Sequence, residues 1–148
     1  DTILVIAGKR GWMYKEIYKK VTDLKLGKKV VFTGFVDEKD KPALLKGAKV
    51  LISPSFWEGF GLHLLDAMAC GTPVIVSRVA SVREVVGNAG VYVNPKSAES
   101  ISSAIHSVLA MNEVEYAKLV KRGLLQAKKF SWEKATKETL NVLEAARK

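Results

Sequence analysis

Five short apolar runs punctuate the chain, at Ile3–Ala7, Val30–Thr33, Lys49–Ser53, Val74–Val76 and Val91–Val93. Each is too short for a helix, leans on β-branched residues and runs into Gly, Ser, Pro or Asn, which predicts buried parallel strands. Between them the apolar spacing changes to the helical period. Met13, Ile17, Val21 and Leu24 predict a helix from Trp12 to about Leu26, ended by Gly27. A shorter one is predicted within 37–47, with Pro42 in its first turn. Leu62–Cys70 reads as a helix stopped by Gly71, with Pro73 just beyond. Arg78–Val86 follows with Ser81 as its N-cap, and Ser97 caps a helix striped by Ile101, Ala104, Ile105 and Val108. Two more helices are predicted, one from about Glu113 to Lys129 and a last one capped by Ser131, with Trp132, Thr136, Leu143 and Ala146 roughly along one side.

This alternation, with no long linker and no internal repeat, predicts an α/β architecture: an open parallel sheet of about five strands with helices on both faces. Ligands of such sheets bind beyond the carboxyl ends of the strands. Gly8, Gly34 and the Ser53–Gly61 loop all fall at that edge.

The third of those loops carries the chemistry. Glu58 lies on it, and Asp66 follows eight residues later, about one turn into the helix. Gly59 and Gly61 lie between the loop acid and the helix. The free N–H groups at the helix start suit phosphate, whereas carboxylates accept hydrogen bonds from hydroxyls. A diphosphate flanked by two diols fits that pattern, as in a nucleotide-sugar.

The segment EGFGLHLLDAMACGTPV, beginning at Glu58, resembles the E-x7-E segment of the group 1 glycosyltransferases. LVIAG at 4–8, VFTGFV at 31–36, EVVG at 84–87 and FSWE at 130–133 extend the likeness over essentially the whole chain. The resemblance implies a Rossmann-like fold, residues 1–148 forming the single C-terminal, donor-binding domain of a retaining enzyme of the two-domain GT-B type. It implies that Glu58, as the catalytic residue, holds hydroxyls of the donor sugar. Asp66 stands where the family carries Glu and would hold the ribose, one methylene short. Gly59, Phe60, Gly61 and Leu62 would bind donor phosphate or sugar, largely through backbone N–H groups, and Phe35 and Val36 would form the nucleobase loop. The implied substrate is a UDP-, GDP- or ADP-sugar, with no cofactor; no His, Cys or Asp cluster has metal-ligand spacing, so no metal site is expected. The resemblance also implies that the family's first strand with its basic pair, and the acceptor-binding N-terminal half, lie outside this sequence. The chain alone is then expected to be inactive, with its sheet closing in the order 2-1-3-4-5 in preference to a second chain filling the gap.

Composition narrows the field. Of the 148 residues, 48% are apolar, enough for a sizeable core. The formal charge of +9 is uneven. Residues 1–49 carry twelve basic against six acidic groups, 50–112 three against four, and 113–148 nine against five. A near-neutral middle between basic flanks suits attraction to a diphosphate or to an anionic membrane surface, and argues against a nucleic-acid partner, whose recognition element would concentrate charge and aromatics. The single cysteine, Cys70, fits a reducing compartment, so the expected location is cytoplasmic, with the inner membrane face as a second candidate. No apolar run reaches the roughly eighteen residues of a membrane span. His63 is expected as an exposed helix residue. A non-catalytic sugar-nucleotide-binding or interaction module is the rival reading, with both acids serving structure only.

Overall fold

The computed structural model describes residues 2–147. It divides into two compact units, Asp1–Lys41 and Pro42–Lys148. The five strands expected from the sequence are all present and all pair in parallel. They form two ladders rather than one.

In the first unit, β1 (Leu4–Ala7) pairs with β2 (Val30–Gly34), with a register irregularity between Ile6 and Ala7. At the carboxyl ends Gly8 N–H donates to the Gly34 carbonyl at 2.8 Å, tying the two following turns together. The connecting helix α1 (Tyr14–Asp23) is shorter than its apolar spacing predicts. The expected inward stripe is also displaced. Met13, Ile17 and Leu24 are exposed, while Tyr14, Tyr18 and Val21 are half-buried. The cause is aromatic: Tyr18 stacks on Phe32 of β2 with ring centroids 4.0 Å apart, and Tyr14 meets Tyr18 edge-on.

In the second unit the order is β3-β4-β5, formed by Leu51–Ser53, Val74–Ser77 and Val91–Val93. No ladder joins β1 to β3 among the described residues, so the expected closure in the order 2-1-3-4-5 does not form. β3 pairs with β4 over its three residues. The middle strand β4 is wholly buried, and its alternation divides the core. Val74 and Val76 join Leu64, Ala67, Met68, Val82, Val85 and Val86, from α3 (Leu62–Ala69) and α4 (Ala80–Val86). Ile75 faces the other way, into Val93, Ala104, Val108 and Leu119 of β5, α5 (Ala98–Leu109) and α6 (Glu113–Ala127). Helices therefore cover both faces, as a parallel sheet needs.

Local chemistry sets the helix ends. Ser97 caps α5 by accepting from Ser100 N–H at 3.1 Å, and Asn112 and Glu115 form a capping box at α6. α3 stops where Gly71 adopts φ 80°, a left-handed conformation cheap only for glycine. Buried Gln126 ties α6 to α4, its amide donating to the Val85 carbonyl at 2.9 Å while its oxygen accepts from Lys129. α2 (Lys41–Gly47) is held by Thr72, whose hydroxyl donates to the Leu45 carbonyl at 2.6 Å.

α7 (Trp132–Ala146) departs from expectation. Ser131 caps it as predicted, accepting from Lys134 N–H, but no residue of the helix is buried. Its apolar side, including Trp132 and Leu143, stays exposed.

Candidate functional site

β3 delivers the chain into the 54–61 loop, and serines hold that loop in place. Ser77, the last residue of β4, donates its hydroxyl to the Ser55 carbonyl. Ser81 donates to the Glu58 carbonyl at 2.6 Å. The sequence places Ser81 as the N-cap of α4; in the structure Val79 occupies that position without a side-chain bond, and Ser81 serves the loop instead.

A second chain of contacts reaches the Glu58 carboxylate. Ser55 Oγ donates to Glu58 Oε2 at 3.4 Å, Ser53 Oγ lies 3.3 Å from Ser55 Oγ, and His63 Nε2 lies 3.0 Å from Ser53 Oγ. The two longer contacts are weak hydrogen bonds, yet together they orient a half-buried carboxylate while leaving Oε1 open. His63 is exposed, as expected, but it is also tied into this network, which the sequence reading did not foresee. The available signal was the run of serines at the carboxyl ends of adjacent strands.

α3 begins beside this network. Gly61 is its N-cap, buried and at φ 89°. A Cβ there would lie 2.9 Å from Leu64 Cδ1 and 3.4 Å from Glu58 Cγ, so glycine is required for both conformation and space. Gly59 differs: a Cβ would meet nothing within 4 Å, so the protein itself sets no steric limit there. The Leu62 and His63 N–H groups have no backbone acceptor among the described residues, which leaves two first-turn donors open. Leu62, His63 and Asp66 are all exposed, and their spacing of three and four puts them on neighbouring positions of one helix face. Asp66 thus stands on the strip that His63 links back to Glu58. The Phe60 side chain packs edge-on against Phe130, with centroids 6.0 Å apart, and stays 45% exposed.

The first unit, described by itself, has a loop after β2. Phe35 is exposed and lies beneath Lys9, whose Nζ is 4.9 Å from the ring centroid, while Val36 is half-buried. Arg10 stacks over Tyr14 and Tyr18 rather than pointing free. Among the described residues no group of three His, Cys, Asp or Glu side chains converges as a metal ion would need. No helix there is long and apolar enough to cross a membrane.

Residues 1–126 match the family model of the glycosyl transferases group 1. O-antigen chain mannosyltransferase B of Escherichia coli is 38% identical over 139 residues, covering 93% of this chain and 36% of that protein. The GDP-mannose-dependent alpha-(1-6)-phosphatidylinositol dimannoside mannosyltransferase of Mycobacterium tuberculosis is 32% identical over 147 residues, covering 98% of this chain and 36% of its own length. The chain thus spans little more than a third of these relatives. Among solved structures, sucrose-phosphate synthase from Thermosynechococcus elongatus superposes with a TM-score of 0.83 at 31% identity, over 97% of this chain and 39% of that one. Anabaena HepE, solved with UDP-glucose, gives 0.85 at 20% identity over 97% and 41%, a likeness of fold. By the family match over most of its length and by the mannosyltransferases it resembles in sequence, this chain belongs to the group 1 glycosyltransferases.

Proposed function

We propose that the chain is the donor-binding part of a retaining hexosyltransferase that draws its sugar from a UDP-, GDP- or ADP-sugar. The observation that carries this reading is Glu58, whose carboxylate accepts from Ser55 and whose backbone carbonyl accepts from Ser81, on the loop that leads into two open N–H groups at the start of α3. As the bond between the anomeric carbon and the diphosphate breaks, negative charge gathers on the leaving group. Open helix N–H groups and the helix dipole favour that charge. Glu58, on the loop, accepts hydrogen bonds from sugar hydroxyls, and Asp66, on α3, takes the ribose. No protein nucleophile is invoked; the acceptor attacks from the face the diphosphate leaves. The names of the mannosyltransferase relatives support a mannosyl donor. Because those relatives are nearly three times as long, the 148-residue chain alone is expected to bind donor without measurable transfer.

Calorimetric titration with UDP-, GDP- and ADP-sugars tests the reading. Asp66→Ala is expected to weaken the preferred sugar nucleotide and its bare diphosphate alike, by about fivefold, because the ribose is common to both and one exposed hydrogen bond is worth about 1 kcal/mol. Unchanged affinity in both Asp66→Ala and Glu58→Ala would assign the acids to structure and favour a non-catalytic binding module.

An anionic membrane surface is the second partner we propose. The exposed face of α6 sets Lys118, Lys121 and Arg122 beside exposed Val114 and Leu125, and no acidic side chain pairs with those cations among the described residues. Cations flanking apolar residues suit an anionic lipid headgroup layer. The chain is expected to co-sediment with phosphatidylglycerol vesicles and to be released by added salt, and equal retention on phosphatidylcholine would remove this assignment.

A further inference from the structure

The contacts that reach the Glu58 side chain can run in one direction only. A carboxylate accepts and does not donate, so the Ser55 hydroxyl commits its single proton to Glu58 Oε2 at 3.4 Å. Ser55 Oγ is left as an acceptor, and the Ser53 hydroxyl, 3.3 Å away, supplies the proton between the two serines. Ser53 Oγ then has no proton left for His63 Nε2 at 3.0 Å, so the ring is the donor. The charge on Glu58 thus assigns an Nε2–H to His63 at the far end of the chain. Neutral or protonated, such a ring donates from Nε2, and the direction does not depend on its charge.

His63 is well placed to set that direction. It is the second residue of α3, whose N-cap Gly61 makes no side-chain bond, and its ring reaches back ten residues to the end of β3. Ser53, Ser55 and Glu58 are half-buried, whereas His63 is exposed and forms the outer end of the chain. Among the described residues the Ser53 and Ser55 hydroxyls have no other partners, so nothing else fixes where their protons point. Without a donor at Nε2, the Ser53 proton can turn away from Ser55, and Ser55 can then rotate off Glu58. Contacts of 3.3 and 3.4 Å are weak singly, but aligned head to tail behind a ring N–H each polarises the next. The Glu58 main chain is held separately, by Ser81, so His63 governs the side chain alone.

We propose that His63 is a positioning residue of the donor site. Through Ser53 and Ser55 it fixes Glu58 with Oε2 on the serine and Oε1 left for a sugar hydroxyl. The site thereby gains its preference for a sugar nucleotide over the bare nucleoside diphosphate. The use of Oε1 rests on the donor-site reading above; the directed chain from His63 to Glu58 does not. The His63 backbone N–H is a separate contact, which any residue but proline would supply.

Calorimetric titration with the preferred sugar nucleotide and its matching diphosphate tests the role. His63→Phe keeps an aromatic ring but has no donor. It is expected to weaken the sugar nucleotide about fivefold, the loss attached to one ordinary hydrogen bond, and to leave the diphosphate within about twofold. His63→Gln sets an amide N–H near the place of Nε2 and is expected to hold the sugar nucleotide within about twofold of the unsubstituted chain. In a Glu58→Ala background His63→Phe should cause no further loss, because the group it positions is gone. Equal losses for the two ligands, a Gln variant as weak as the Phe variant, or an undiminished Phe effect without Glu58 would overturn the proposal. The ring gives a second reading that needs no ligand. Nitrogen chemical shifts of His63 are expected to show the Nε2–H form and to move in Ser53→Ala and in Glu58→Ala. A bare Nε2, or shifts indifferent to both substitutions, would also sink it. Failure of the donor reading would show separately, as absent sugar-nucleotide binding with the ring shifts still responding to Ser53 and Glu58.

Discussion

Replacing Glu58 by alanine weakens the sugar nucleotide by about 10- to 100-fold, while the affinity of the bare nucleoside diphosphate stays within about threefold. The first figure follows from the roughly 1.5–3 kcal/mol attached to hydrogen bonds with a charged partner. The asymmetry follows from geometry. Glu58 offers an open Oε1 to sugar hydroxyls, whereas the diphosphate is assigned to the N–H groups of Leu62 and His63. Backbone N–H groups survive the substitution. So does the Ser81 bond to the Glu58 carbonyl, which keeps the loop in place. Glu58→Gln is expected to fall between, since an amide oxygen still accepts but without charge assistance. Paired calorimetric titrations with the sugar nucleotide and its diphosphate read the effect. Equal losses for the two ligands would move Glu58 off the sugar and onto the diphosphate or the loop's structure.

The legible parts of this chain were those fixed by local pattern. Val74–Val76 reads as a buried strand from three apolar residues followed by a small one, and the structure buries it completely. Leu62 to Cys70 reads as a helix because Gly71 and Pro73 stop it, and the observed end differs by one residue. Ser97 and Ser131 declare themselves as caps because their hydroxyls act three residues away. Long-range contacts were not legible in the same way. Ser81 lies at a plausible cap position, yet its hydroxyl goes to a carbonyl twenty-three residues earlier. The network from His63 through Ser53 and Ser55 to Glu58 needs β3 and α3 to be brought together first. In α1 the hydrophobicity of Ile17 and Leu24 pointed to the wrong stripe, because Tyr18 gains a ring to stack on and outweighs them. Pairing across strands escaped for a related reason: the apolar runs show that five strands exist, but not that they hydrogen-bond as two and three.

Leu64→Ala is expected to destabilise the second unit by about 2–5 kcal/mol, the range for truncating a fully buried leucine. Leu64 is 0% exposed and packs with Met68, Val74 and Val76 in the cluster between α3 and β4. Such a loss is a large share of the roughly 5–15 kcal/mol that holds a domain together. Leu62→Ala supplies the control. It lies two residues away on the same helix and is half exposed, so its substitution is expected to change stability by less than about 0.5 kcal/mol. Urea unfolding followed by helical circular dichroism reports mainly on the second unit, which holds every helix except α1 and the first residue of α2. The tryptophans add little tertiary signal, since Trp12, Trp57 and Trp132 are 98%, 83% and 77% exposed. The site should respond as well. Leu64 Cδ1 is the atom nearest to where a Gly61 Cβ would stand, so the truncated side chain removes the packing that seats the first turn of α3. Weaker binding of the diphosphate by Leu64→Ala under conditions where the variant is still folded would show that the open N–H groups act as a preorganised site. Unaltered diphosphate affinity in a folded, destabilised variant would instead separate the phosphate contact from the start of α3.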